Sequence, residues 1–251
     1  MLTEPAFYLV SVPAVLIYGI AKGGFGGAMA VLAVPLMAIA MSPTQAAAIL
    51  LPILVLMDAL VVRAYWGAFD RTSLKLLLPP ALLGVALGYA LADSLNDDFM
   101  RILIGTIALL FGLYGLLGRA TRQVLPHHRG KASLWGAMAG FTSFSIHAGG
   151  TPFTIYVMPR GLSPVQFAGT SGLFFAVVNA VKLLPYHLLG QFSADNLLYS
   201  LVLAPLAPAG VWIGRFLVKR SDPRLYYGVI SFFLMTVGGL LLWEGLGVWL
   251  Q

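Results

Sequence analysis

Gly19-Ile-Ala-Lys22-Gly23-Gly24-Phe25-Gly26-Gly27 runs into a short apolar stretch that ends at Met41-Ser42-Pro43-Thr44-Gln45. A second stretch is built the same way: Gly140-Phe-Thr142-Ser143-Phe-Ser145-Ile-His147-Ala-Gly149-Gly150-Thr151-Pro152, a short apolar run, then Leu162-Ser163-Pro164-Val165-Gln166. In each, glycines and a polar or ionisable side chain interrupt what is otherwise helix compatible with hydrocarbon. Irregular backbone persists at membrane depth only where protein or a water-lined cavity satisfies its polar groups. Paired interruptions in two halves of one chain point to a binding site between the halves, as in secondary transporters.

The composition agrees with a membrane solvent. Of 251 residues, 59% are hydrophobic and 10% charged, against about 25% charged in an average soluble domain; the mean hydropathy is +0.90. One membrane domain over 1–251 is expected, all-α and polytopic. The formal charge of +6 is read as loop Lys and Arg on one side of a bilayer rather than as a nucleic-acid footprint. With no cysteine, disulfides, thiolate catalysis and Cys-bearing zinc sites are excluded. No metal or other cofactor is expected, and the N-terminus does not read as a removable signal peptide.

Apolar segments fall at 6–21, 28–41, 44–65, 72–92 and 98–118, then at 132–148, 151–159, 164–187, 195–217 and 223–243. A span needs about 20 helical residues. The segments 44–65, 72–92, 98–118, 164–187, 195–217 and 223–243 satisfy that. The remaining four are too short singly and read as two broken or re-entrant hairpins turning near the glycines.

Two repeats are therefore expected, 6–118 and 132–243, joined by a basic linker at 119–131. Ser42-Pro43-Xaa-Gln45 matches Ser163-Pro164-Xaa-Gln166 at an offset of 121, which also aligns Asp58 with Asn179 and Tyr65 with Tyr186. Small insertions align Gly84 and Gly88 with Gly210 and Gly214. Basic clusters surround Arg63, Arg71 and Lys75, the linker (Arg119, Arg122, Arg129, Lys131), and Arg215, Lys219, Arg220 and Arg224; Asp93, Asp97 and Asp98 mark an acidic segment. Assigning the basic regions to the cytoplasm puts both termini outside and gives the halves opposite topology.

Lys22 sits where a helix restarting after glycine offers unpaired N–H groups and a positive dipole end. It reads as an anion ligand, with snorkelling or pairing to Asp58 as the plainer explanation. His147, at the second break, reads as a substrate contact or proton carrier, or as a packed histidine. The substrate-binding set is Lys22, Gly23, Gly24, Gly26, Gly27, His147, Gly149, Gly150, Thr151, Asn179 and Lys182. Asp58 is either a proton carrier or an ion-pair strut between helices. Gln45 and Gln166 serve interior hydrogen bonding or helix capping.

Gly169-Thr170-Ser171-Gly172 fits the pattern of an intramembrane serine hydrolase. Catalysis needs a base within hydrogen-bond reach, and His187 lies about 24 Å along a continuous helix; helix packing by small residues explains the motif better. A passive anion channel is the second rival. No Gly-rich nucleotide loop is present, so ATP-driven transport by this chain alone is not expected.

The chain also resembles a known family. Gly23-Gly24-Phe25-Gly26-Gly27, Val34-Pro35-Leu36 and Ser42-Pro43 look like the first half of the TauE/SafE family of sulfite and organosulfur-anion exporters. His147-Ala-Gly149-Gly150-Thr-Pro152, Gly161-Leu-Ser163-Pro164 and Gly169-Thr-Ser171 look like its second half. The resemblance implies a bacterial or archaeal inner-membrane carrier exporting a small sulfur-containing anion, inorganic or organosulfur. It names neither the anion nor the oligomeric state. Alternating access between the two breaks is the expected mechanism, with Asp58 or His147 coupling it to protons.

Overall fold

The computed structural model describes residues 4–26, 30, 33–92, 97–117 and 124–247. Among them all regular structure is helical: α1 (Pro5–Gly24), α2 (Ala33–Ala38), α3 (Pro43–Ala64), α4 (Arg71–Ala90), α5 (Asp97–Leu116), α6 (Arg129–Ile146), α7 (Gly150–Val157), α8 (Pro164–Leu188), α9 (Ala194–Leu203), α10 (Leu206–Arg220) and α11 (Pro223–Gly247). A 3-10 turn, Met158–Arg160, follows α7. Gly27, Asp93, Arg119 and Arg122 lie outside the described residues.

The two Ser-Pro motifs start helices. Proline has no N–H to waste in a first turn, and the preceding serine caps it: Ser42 Oγ accepts from the Gln45 N–H at 3.2 Å, and Ser163 Oγ from the Gln166 N–H at 3.3 Å. In the second copy Gln166 Oε1 also accepts from the Ser163 N–H at 3.2 Å, which completes a capping box. Gln166 thus caps, whereas Gln45 donates from Nε2 to Asn196 Oδ1 at 3.2 Å. The serines fix where α3 and α8 begin, and so how deep Asp58 and Asn179 sit.

Among the described residues five helices are long and apolar enough to cross a bilayer: Pro5–Gly24, Thr44–Ala64, Arg71–Ala90, Pro164–Leu188 and Pro223–Trp243. The expected span 195–217 is instead two helices, α9 and α10, bent by 46° at Ala204–Pro205; together they make a sixth. Proline removes a backbone donor and clashes with the turn before it, which accounts for the bend.

The first break also lies later than expected. Helix α1 continues through Lys22, Gly23 and Gly24 and reaches 20 residues, so it is not too short on its own. Close packing holds the two glycines helical: a Cβ on Gly24 would sit 2.6 Å from the Gly214 carbonyl oxygen of α10. The backbone departs at Phe25 and turns at Gly26, whose φ is +64°.

Helices pair in a pattern that crosses the halves. α1 packs on α10, α4 on α6, α5 on α11, and α3 on α8. Small residues permit the close approaches: a Cβ on Gly19 would lie 2.9 Å from Gly210 Cα, and one on Gly136 would lie 2.7 Å from the Leu77 carbonyl oxygen.

The linker is tied down at one end of the bundle. Arg160 Nη1 donates to the Leu125 carbonyl at 2.7 Å and to the Pro126 carbonyl, and its guanidinium lies over the Tyr156 ring. His127 Nε2 is 3.5 Å from Asp70 Oδ2, just before α4. His128 is the N-cap of α6, its Nδ1 accepting from the Lys131 N–H at 3.2 Å.

Candidate functional site

A continuous buried polar network runs between the two halves. Lys22 of α1 forms an ion pair with Asp58 of α3. The other Asp58 oxygen, Oδ2, accepts from Asn179 Nδ2 of α8 at 2.7 Å. Asn179 Oδ1 in turn accepts from Lys182 Nζ at 3.3 Å. Lys182 also donates to the Ser143 carbonyl at 2.6 Å and Ser143 Oγ at 3.3 Å, and meets His147 Nδ1 at 2.7 Å. Lys22, Asp58, Ser143, His147, Asn179 and Lys182 are each at most 5% exposed.

The His147 partners decide its tautomer. An ammonium can only donate, so Nδ1 accepts from Lys182. Nε2 then carries the proton and donates to the Ala47 carbonyl at 3.2 Å. Both ring nitrogens of His147 are thus engaged, one by Lys182 and one by the Ala47 carbonyl. Its backbone, at φ +55°, is the only non-glycine with positive φ among the described residues; such a conformation persists where the surroundings over-determine it.

Helix ends explain why the lysines lie where they do. The last carbonyls of a helix lack internal partners and carry the negative end of its dipole. At the end of α6, Lys182 takes the Ser143 carbonyl and the Tyr186 hydroxyl takes the Phe144 carbonyl at 3.0 Å. At the end of α1, Tyr65 donates to the Gly23 carbonyl and Tyr226 to the Gly24 carbonyl, each at 2.6 Å. Three residues beyond His147, α7 starts at Gly150 with no side-chain cap, and the Thr151 hydroxyl is buried with no partner among the described residues. One helix end holding a cation thus adjoins another whose polarity favours an anion.

The expected residues are therefore largely brought together. Lys22, Asp58, His147, Asn179 and Lys182 share one network; Gly149 packs on Ser143 and Phe175, and the Lys22 ammonium lies 5.6 Å from the Phe175 ring centre. Gly23 and Gly24 face α10, and Gly26 packs against Phe167. In the register of 121, the counterpart of His147 is Gly26, and both have positive φ; the counterpart of Lys22 is Ser143. The sequence reading missed the Ala47 carbonyl, for which a sequence carries no signal, and the roles of Tyr65 and Tyr186, whose alignment was the available clue.

Two lysines share one carboxylate, and Lys182 has no acidic partner of its own among the described residues. What remains is a buried amine with only neutral partners at the junction of two helix ends, a donor suited to a small anion. Comparison with curated proteins and with solved structures gives no match. Residues 11–241 match the family model described as sulfite exporter TauE/SafE, and the chain, a multi-pass membrane protein, belongs to that family of anion exporters.

Proposed function

We propose that this chain is a secondary active carrier that exports sulfite or a small organosulfonate across the cell membrane of a bacterium or archaeon by alternating access. The observation that carries the reading is the unequal partnering of the two lysines: Lys22 is paired with Asp58, while Lys182 rests on neutral acceptors only. In this mechanism the anion takes the place of those acceptors around Lys182. Gly150, Thr151 and the start of α7 supply donors, and Lys22 and Asn179 close the other side.

Burial of every member supports a closed state of the cycle, so that loading and release each require the paired helices to part. The crossing pattern, α1 on α10 and α4 on α6, provides two similar units that rock about the α3–α8 contact, and it favours the inverted arrangement of repeats 6–118 and 132–243. Asp58 and His147 are the groups through which protons couple, since each can lose a lysine partner when the anion arrives. The termini are assigned outside and the linker inside.

Flux of labelled sulfite in proteoliposomes tests this. Lys182→Gln is expected to abolish counter-transport against unlabelled anion in a protein that still binds detergent micelles as a monodisperse species. Lys22→Ala leaves Asp58 unpaired, so it is compared with Lys22→Ala/Asp58→Asn: folding should recover in the pair and flux should not. Full flux in the double variant would reduce Lys22 to a strut. Anion passage without counter-transport would favour a channel.

A further inference from the structure

A second positively charged place lies away from the buried lysines. Between α3 and α10 is a cavity of about 580 Å³ lined by Leu60, Arg63, Ala64, Val211, Trp212 and Arg215. Arg63 is exposed in the last turn of α3, and Arg215 is half-buried on α10. Its Nε is buried with no hydrogen-bond partner among the described residues, and neither guanidinium has a carboxylate partner there. For Arg215, a buried Nε left so is costly unless an acceptor completes it.

The remaining walls say what kind of anion. Leu60, Ala64, Val211 and Trp212 are apolar, and Trp212 is 65% exposed on the outside of the bundle. It stacks on Phe216 at 5.7 Å between centres, and the Arg220 guanidinium lies 4.0 Å from the Phe216 ring centre. This Trp-Phe-Arg ladder near the basic end of α10 has the character of an interfacial anchor. Cavities of 300–1,000 Å³, as a class, take ligands far larger than a small inorganic anion. Basic pockets between transmembrane helices are a recurrent solution for acidic lipid headgroups.

We propose that Arg63 and Arg215 bind the phosphodiester of an anionic phospholipid, with its hydrocarbon against Leu60, Val211 and Trp212. Each guanidinium donates to phosphate oxygens in the planar fork geometry that suits them. The site is separate from the lysine network but mechanically close to it, because Val211 also packs its backbone against Gly23, the neighbour of Lys22. A lipid seated there braces the α1–α10 unit.

The test uses the full chain in nanodiscs of phosphatidylcholine with or without phosphatidylglycerol, and native mass spectrometry of protein released from an equimolar lipid mixture. At about 1 kcal/mol per arginine near the surface, two arginines predict roughly thirty-fold preference for phosphatidylglycerol. That preference, and a higher melting temperature in phosphatidylglycerol, should vanish in Arg63→Gln/Arg215→Gln. Both should weaken without vanishing in Arg63→Lys/Arg215→Lys, which keeps the charges and loses the fork, and should persist in Lys219→Gln, which alters a charge outside the cavity. Equal retention of the two lipids by the wild-type protein overturns the proposal even if the Gln variant fails to fold. So does an arginine-dependent stabilisation by free hexanesulfonate in phosphatidylcholine with no response to phosphatidylglycerol, which would make the cavity a soluble-anion site.

Discussion

Asn179 donates a 2.7 Å hydrogen bond to Asp58, and the two residues are 121 positions apart, the offset that separates the two Ser-Pro helix starts. Positions that the 121-residue offset aligns therefore meet in the buried network, one a carboxylate and one an amide. A carboxylate at both would put like charges in contact; an amide at both would leave two buried lysines with no anion.

Exchanging the pair tests this division. Asp58→Asn strands Lys22, and breaking one side of a buried ion pair costs about 3–5 kcal/mol. Asp58→Asn/Asn179→Asp restores the charge count and should regain most of the lost thermal stability, with a coupling energy of at least about 1 kcal/mol in the double-mutant cycle. Asn179→Asp alone places a second carboxylate against Asp58 as well as beside Lys182; it should lower the melting temperature through the like-charge contact and lose sulfite flux by at least about tenfold. Additive losses of stability would contradict the pairing.

Close backbone packing sets the second expectation. A Cβ on Gly140 of α6 would run into the Ala81 carbonyl of α4, whereas one on Gly228 of α11 meets nothing within 4 Å. Gly140→Ala should lower stability by about 1–3 kcal/mol, the usual cost of overpacking. Gly228→Ala should be neutral or stabilising by up to about 1 kcal/mol, the helix-propensity gain. Melting curves in one detergent decide; equal effects at the two sites would show that α4 and α6 can separate freely.

These packing relations also explain what was legible beforehand. Ser42, Ser163, Asp58 and Asn179 were legible from the Ser-Pro match and its offset of 121, which need no tertiary contact; the matched glycines Gly84 and Gly210 carry little signal, because apolar helices share small residues by chance. The true end of α1 was not readable. Glycine after lysine looks like a break, and only α10 packed across Gly24, with Tyr226 on its carbonyl, keeps that backbone helical. The bend at Pro205 was missed for the converse reason, since proline within apolar helix is tolerated at Pro13, Pro52 and Pro185. Lys182 was identified as a buried charge, but its partners are a distant carbonyl and a histidine in a left-handed turn, contacts that sequence spacing does not encode.

At the start of α4, Asp70 accepts from the Thr72 and Ser73 N–H groups at 3.1 and 3.0 Å. Partial burial pushes its carboxyl up, but the hydrogen bonds from Ser73 and Thr72 and the nearby His127 outweigh this and hold it below the usual range. A depressed carboxyl stabilises the fold fully above its unfolded value, near 3.9, and loses that contribution as pH falls through the folded one. The cap should therefore act undiminished from neutrality to about pH 5 and fail below about pH 4. Asp70→Ala should cost about 1 kcal/mol and Asp70→Asn less, since asparagine also caps. Melting temperatures of the wild type and Asp70→Ala should converge at low pH; a constant gap would mean the carboxylate is not the cap.

The absence of cysteine makes the orientation directly measurable. Asp195 and Lys131 are exposed, one in the first turn of α9 and the other in the first turn of α6, where the basic linker ends. The linker reaches Asp70, next to Arg71, and Arg63 shares a cavity with Arg215, so three basic clusters gather at one end of the bundle, as retention of positive charge in the cytoplasm demands. In intact cells a membrane-impermeant maleimide should label Asp195→Cys and should label Lys131→Cys only after permeabilisation. The reverse result turns the molecule over and makes the termini cytoplasmic. Labelling of both from outside would remove the charge asymmetry as the reason for the insertion, and with it the opposed orientation of the two halves.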